Sequence, residues 1–192
     1  MNQNNAEITH LLNKSEIDQH TWNDILPIVY KQLKMMAHTI KAGHKKDNLL
    51  NTTSLVHEAF IKIQKNTKLN IKGTKHFYHV AALSMRQIIT DTARAKLTDK
   101  RNGVEHSLDE DVALNLEDKQ THSLTEILEI DKALNSLVEF SPRLADIVTY
   151  HFFAGYSFVE VADLLGISES TVIRDWKKAR AWLYASLKSK GN

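Results

Sequence analysis

Ser170, Thr171, Arg174, Lys177 and Lys178 lie at spacings that put two hydroxyls and three cations on one side of a helix. Such groups can bond phosphate oxygens and base edges, and an arginine can grip a guanine edge with two hydrogen bonds. Of the five, Arg174 is the candidate base reader and the lysines suit phosphates, with Arg180 able to join them. Asp175, inside the same stretch, could orient a neighbouring cation or accept from a cytosine amino group. Behind these residues Val172, Trp176, Ala179, Leu183 and Leu187 repeat at helical spacing and call for burial. Upstream, Ser157 and Glu160 have the spacing of a capping box. The helix they open has Val159, Ala162, Leu164 and Leu165 as its apolar set. Gly166 suits a chain leaving a helix at positive φ, and Ser168 can cap the next one. Helix, tight turn and cationic helix make a helix-turn-helix, which presents its second helix to the DNA major groove. An ordinary helical hairpin with a solvated basic face is the alternative.

Other chemistry is poorly supported. The chain has 192 residues and no cysteine, which excludes disulfides, thiolate metal sites and cysteine nucleophiles. His57-Glu58 would need a second histidine at position 61 to make a zinc-protease helix, and Ile61 stands there. His76 and His79 lie one turn apart without a third ligand nearby. There is no phosphate loop and no nucleophile elbow, so the chain is read as neither an enzyme nor a cofactor or metal protein. No secretory signal and no long apolar run is present, which points to a cytoplasmic protein with no membrane association.

The net charge is +2, but it is unevenly placed. Residues 22–104 carry fifteen Lys/Arg against five acids, residues 105–131 nine acids against Lys119 alone, and residues 169–192 six cations against two acids. Two basic blocks flank an acidic one, and polyanions respond to local fields more than to totals.

The elements that must position these residues are helical throughout. A short first helix is marked by Ile8, Leu11 and Leu12. The second has Trp22, Ile25, Leu26, Val29, Leu33, Met36, Ala37 and Ile40 inside and Pro27 near its start. The third buries Leu55, Val56, Ala59, Phe60 and Ile63, with Thr52, Thr53 and Ser54 as cap candidates. A fourth runs from about Lys75 to Lys96 and buries Phe77, Ala81, Met85, Ile88, Thr92 and Ala95. Residues 98–122 are polar and acidic and read as a flexible linker with one helical turn at most, leaving the flanking lobes free to move. Beyond it, one helix carries Leu124, Ile127, Leu128, Leu134, Leu137 and Val138. Ser141-Pro142 then caps another, which buries Leu144, Ile147, Val148 and Phe152 and ends at Gly155. The fold class is all-α: two small helical domains joined by a flexible acidic linker, the C-terminal one containing the helix-turn-helix.

Three segments in this order resemble bacterial RNA polymerase sigma factors of the extracytoplasmic-function type. TSLVHEAFIKI (53–63) resembles their clamp-binding helix, and HFYHVAALSMRQIITDTARAK (76–96) their promoter-melting helix. VTYHFFAGYSFVEVADLLGISESTVIRDWKKARAWL (148–183) is similar to their C-terminal promoter-binding domain. The resemblance implies a region two-like domain over 1–97, a linker over 98–122 and a region four-like domain over 123–192. His57, Glu58 and Lys62 would then face core RNA polymerase. Tyr78, Arg86, Arg94 and Lys96 would hold the melted downstream element, where single strands need stacking surfaces and phosphate partners. Lys72, Lys75, Lys100 and Arg101 would add charge, and Tyr78 suits stacking better than Phe77, whose spacing is that of the core. Ser170, Thr171, Arg174, Lys177 and Lys178 would meet the duplex upstream element. Ile173 departs from the family pattern, where many relatives carry a cation.

The implied function is a sigma factor that brings core enzyme to promoters and helps open the DNA. A stand-alone helix-turn-helix regulator is the alternative, although it has no need of the helix around His57 and Glu58. An anti-sigma factor, transcriptional control and modification are all open as means of regulation.

Overall fold

The computed structural model of the protein describes residues 2–12, 17–42, 50–66, 69–101 and 110–188. Helices α1 (Asn2–Leu12), α2 (Gln19–Ala42), α3 (Thr52–Lys65) and α4 (Gly73–Arg101) precede a long α5 (Glu110–Phe140). Helix α6 (Pro142–Ile147) runs into a π-helical segment, Val148–Phe153, before α7 (Phe158–Leu165) and α8 (Glu169–Lys188). No strand occurs among the described residues.

Local chemistry sets most of the boundaries. Asp18 opens α2 by accepting from Thr21 N at 2.8 Å, which places Pro27 inside the helix rather than near its start. An interior proline costs roughly 3 kcal/mol, and the burial of Trp22, Ile25, Val29, Leu33 and Met36 along the same helix outweighs it. Asn51, one residue before the expected cap candidates, caps α3 by accepting from Ser54 N at 2.7 Å. Ser141 caps α6 with Pro142 in its first turn.

The first four helices enclose one core, in which Leu55, Val56, Phe77, Ala81 and Met85 are fully buried. Helix α4 is covered on a broader front than one stripe. Tyr78, Ala82, Ile89 and Ala93 are buried as well, whereas Thr92 is half-buried and Ala95 exposed. The additional cover comes from the second half of the chain. Leu124 and Ile127 of α5, and Ala154 after the π-helical segment, belong to the same core as α4.

Helix α5 therefore serves two cores. Seven and ten residues beyond Ile127, Leu134 and Leu137 pack with Leu144, Val148 and Ala179 in the C-terminal lobe. Phe153 touches both clusters. The expected linker is shorter than residues 98–122, because 98–101 continue α4 and 110–122 already belong to α5. Residues 102–109 of that linker lie outside the described residues. The lobes, expected to be free of one another, are packed together.

Several apolar residues stand outside the faces their spacing assigned. Phe152 is half exposed because Val148–Phe153 is π-helical. Ala154 N bonds Thr149 O at 2.9 Å, five residues back, and the wider turn carries Phe152 off the Val148 face. Val138, Val159 and Leu187 are also exposed.

Truncating Leu124 tests the bridging role of α5. Leu124→Ala should lower the stability of the whole chain by about 2–5 kcal/mol. Denaturant unfolding followed separately by tryptophan fluorescence and circular dichroism should show the first lobe losing stability, although Leu124 lies far beyond it in sequence.

Candidate nucleic-acid interface

The helix-turn-helix is built as its residues dictate. Ser157 Oγ accepts from Glu160 N at 3.3 Å, and Glu160 Oε2 accepts from Ser157 N at 2.9 Å, a complete capping box. Gly166 closes α7 in the left-handed region at φ 64°, and Ser168 Oγ accepts from Thr171 N at 3.3 Å to open α8. Behind the turn, Val161, Ala162, Val172 and Ile147 form a small core against Trp176.

The outward side of α8 holds Ser170, Arg174, Lys177 and Lys178 exposed and Thr171 half-buried. Arg180 lies over the Trp176 ring at 5.9 Å, a cation–π contact that draws its charge toward the lobe's core.

Asp175 has no accessible surface. Its carboxylate sits 2.8 Å from Arg143 Nη2, 3.4 Å from Lys178 Nζ and 3.9 Å from Arg174 Nε. Of the two roles open to Asp175, orientation of cations is the one its position permits, since a buried carboxylate cannot reach a cytosine. It tethers two cations of α8 from beneath and ties that helix to α6 through Arg143.

The candidate residues of the first lobe fall into two groups. His57, Glu58 and Lys62 are exposed on α3, opposite its buried Leu55, Ala59 and Ile63, and the His57 ring lies 6.2 Å from that of Tyr30. On α4 the picture is different. Tyr78 is only 6% exposed, and burial pushes its phenol up to about 12. It lines a cleft with Gln32, Ala154, Gly155 and Tyr156, so it offers no open face for a base to stack on in this conformation.

Arg86 Nε lies 3.2 Å from Asp131 Oδ1 of α5, and Arg86 Nη2 donates to Asn135 Oδ1 at 2.7 Å. Burial lowers the Arg86 pKa, and the neighbouring Asp131 charge opposes that shift. Arg94 reaches the other oxygen of Asp131 at 3.5 Å, and also Asp91 at 3.2 Å. Lys96 is half-buried, Lys72 exposed and Lys75 half-buried, while the side chains of Lys100 and Arg101 lie outside the described residues.

The two histidines do not converge. His76 Nδ1 accepts from Lys72 N at 3.0 Å, and His79 packs on the Tyr150 ring with Asp146 3.9 Å away. Burial holds the His79 pKa down to about 4, helped by the nearby His76, so His79 is neutral at pH 7.

The architecture thus comprises a helical lobe with a polar α3 face, a basic α4 and a capped helix-turn-helix with a cationic outer face. A family model described as ECF sigma factor matches residues 5–189. The chain belongs to the ECF sigma factor family. No curated protein matches it significantly. As a member of this family it directs RNA polymerase to promoters in transcription initiation, with core polymerase and promoter DNA as its partners. No helix among the described residues is long and apolar enough to cross a membrane.

Four residues of this sigma factor's polar framework went unnoticed in the sequence: Asp131, Asn135, Arg143 and Gln32. Asp131 did leave a signal. It occupies the apolar stripe of Leu124, Ile127 and Leu134, where an acid is out of place unless a cation meets it.

Asp175→Asn keeps the shape of the side chain and removes its charge. It should cost about 1–3 kcal/mol of C-terminal lobe stability, a moderate value because Arg143, Arg174 and Lys178 are themselves half exposed or more. Thermal unfolding with and without 1 M salt should find the wild type, but not the variant, sensitive to screening at this site.

Proposed function

We propose that this ECF sigma factor divides its work among three helical surfaces. Helix α3 meets core RNA polymerase with His57, Glu58 and Lys62. Helix α4 holds the melted downstream strand with Tyr78, Arg86, Arg94 and Lys96, in a conformation where Tyr78 is no longer enclosed. Helix α8 docks in the major groove of the upstream element with Ser170, Thr171, Arg174, Lys177 and Lys178. Residues 1–97 and 123–192 act as the two binding units, joined by residues 98–122. The protein works where the polymerase works, in the cytoplasm, without catalytic activity of its own and without a membrane contact. An anti-sigma factor is a partner this division would accommodate.

The observation that carries the duplex assignment is the arrangement around Asp175. One buried carboxylate lies 3.9 Å from Arg174 Nε and 3.4 Å from Lys178 Nζ while both side chains stay more than half exposed. Pre-oriented cations lose less freedom on meeting DNA than unrestrained ones do. Arg174, in the second turn of α8, is close enough to its N-terminus to reach base edges, where a bidentate contact discriminates by about 1–3 kcal/mol. Lys178 lies one turn further on and suits a phosphate.

Two experiments test this division. Arg174→Ala should flatten selectivity at one upstream position more than at others. Lys178→Ala should weaken binding to all sequences alike and reduce the salt slope by about one. Affinities for a panel of upstream-element variants at several salt concentrations separate the two. If Arg174→Ala lowers every affinity equally, Arg174 is a phosphate contact. Separately, Glu58→Lys should weaken capture of core polymerase in a pull-down with helical content unchanged, since Glu58 projects away from the α3 core.

A further inference from the structure

Arg143 belongs to none of the three proposed surfaces, yet its charge lies beside that of α8. It is the second residue of α6, and its Nη2 is 2.8 Å from Asp175 Oδ2. The other oxygen of the same carboxylate lies 3.4 Å from Lys178 Nζ and 3.9 Å from Arg174 Nε. One acid therefore gathers three cations from two helices, and neutralising it takes only one of them. The remaining positive charge is left in excess at a single point of the C-terminal lobe. None of it is withdrawn from solvent, since Arg143, Arg174 and Lys178 are each more than half exposed.

The pairing also leaves the donors of Arg143 unspent. Neither Asp175 oxygen accepts a hydrogen bond from a described residue, so the attraction is one of charge. A guanidinium carries five N–H donors in a planar fork that suits two phosphate oxygens.

The place of α6 in the lobe decides which phosphate that is. Leu144 and Val148 of α6 pack with Ala179 of α8, so Arg143 is carried at the flank of α8 rather than along its length. A helix with its side chains is about 10–12 Å across, and the major groove of DNA is about 12 Å wide. A docked α8 thus fills the groove, and a cation on its flank meets the groove wall, where the phosphates are. We propose that Arg143 is a duplex-binding residue: while α8 occupies the groove, Arg143 donates to a backbone phosphate on the adjoining wall, and Asp175 holds it ready for that contact. The proposal rests on the assignment of α8 to the duplex upstream element. Phosphates carry no sequence information directly, so Arg143 fixes the seating of α8 and leaves base preference to Arg174.

The test uses the full chain and a fluorescent DNA duplex, titrated between about 50 and 200 mM salt. Arg143→Ala should lower the slope of log affinity against log salt by about 0.9, the share of one phosphate contact. Arg143→Lys should keep the slope, because the contact needs a cation. A merely structural Arg143 would act through Asp175. The decisive measurement therefore repeats Arg143→Ala in Asp175→Asn protein, where that link is already cut. The slope should fall there too, again by about 0.9.

A fall confined to the wild-type background would overturn the proposal and make Arg143 a positioning residue for α8. No fall in either background would overturn it as well, and Lys178→Ala then locates the fault. If Lys178→Ala lowers the slope, α8 binds the duplex and Arg143 alone is misassigned. If it does not, the assignment of α8 fails and takes the proposal with it. Should circular dichroism show that Asp175→Asn does not fold, crosslinking replaces the double variant. Because the chain has no native cysteine, Arg143→Cys and Lys178→Cys can each carry a photoactivatable group. Both should couple to the duplex on irradiation. Coupling from position 178 alone would overturn the proposal, and coupling from neither would overturn the α8 assignment too.

Discussion

The packed form of this protein depends on a carboxylate in the middle of an apolar stripe. Asp131 follows Ile127 by one turn and precedes Leu134 by another, so α5 presents it where a core residue belongs. Desolvating an anion there is costly unless cations meet it. Arg86 and Arg94 do so from α4, with Asn135 completing the shell. This one cluster sets the register between α4 and α5. It also separates the two cores that α5 serves, with Leu124 and Ile127 on one side and Leu134 and Leu137 on the other. Removing both arginines would leave the buried charge without an ionic partner.

The same device appears a second time. Asp175 follows Val172 and precedes Ala179 on α8, and both neighbours are fully buried. There too the carboxylate lies beneath a helix and draws cations around its rim. In the first case the cations come from another lobe, and the contact covers Arg86 although Arg94 stays exposed. In the second, Lys178 and Arg174 belong to the same helix and remain open to a ligand. Placement of the cations relative to the acid decides whether a buried carboxylate closes a surface or prepares one.

Much of this was readable from the residues. The capping box of Ser157 and Glu160, the turn at Gly166 and the buried set of α3 are local features, fixed by spacing within a few residues, and the structure has them where expected. What was missed depends on distant parts of the chain. The wide burial of α4, with Tyr78, Ile89 and Ala93 covered, arises from residues more than 30 positions later in the sequence. No periodicity within α4 could indicate which neighbour would arrive. Phe152 departs from its expected face for a different reason: a period of 3.6 does not hold where the backbone takes a wider turn. The acids in apolar stripes lay in plain view. For Asp175 burial selects between the two roles its residue type allows. Asp131 belongs to the acidic block by composition but to the apolar stripe by its position on the helix.

Helix α5 also has a mechanical meaning. Its 31 residues span about 46 Å at 1.5 Å per residue, longer than the roughly 30 Å diameter of a small domain. An unbroken helix of this length behaves as a rod, and the C-terminal lobe is built on one end of it. Leu124, Ile127 and Asp131 clamp the rod to α4 near its middle, so they act as a fulcrum. A tilt of a few degrees there moves the C-terminal end of the rod, about 20 Å away, by roughly 1–2 Å. The reach of α8 toward DNA is therefore governed by an angle set at Asp131, far from any residue that would touch a base.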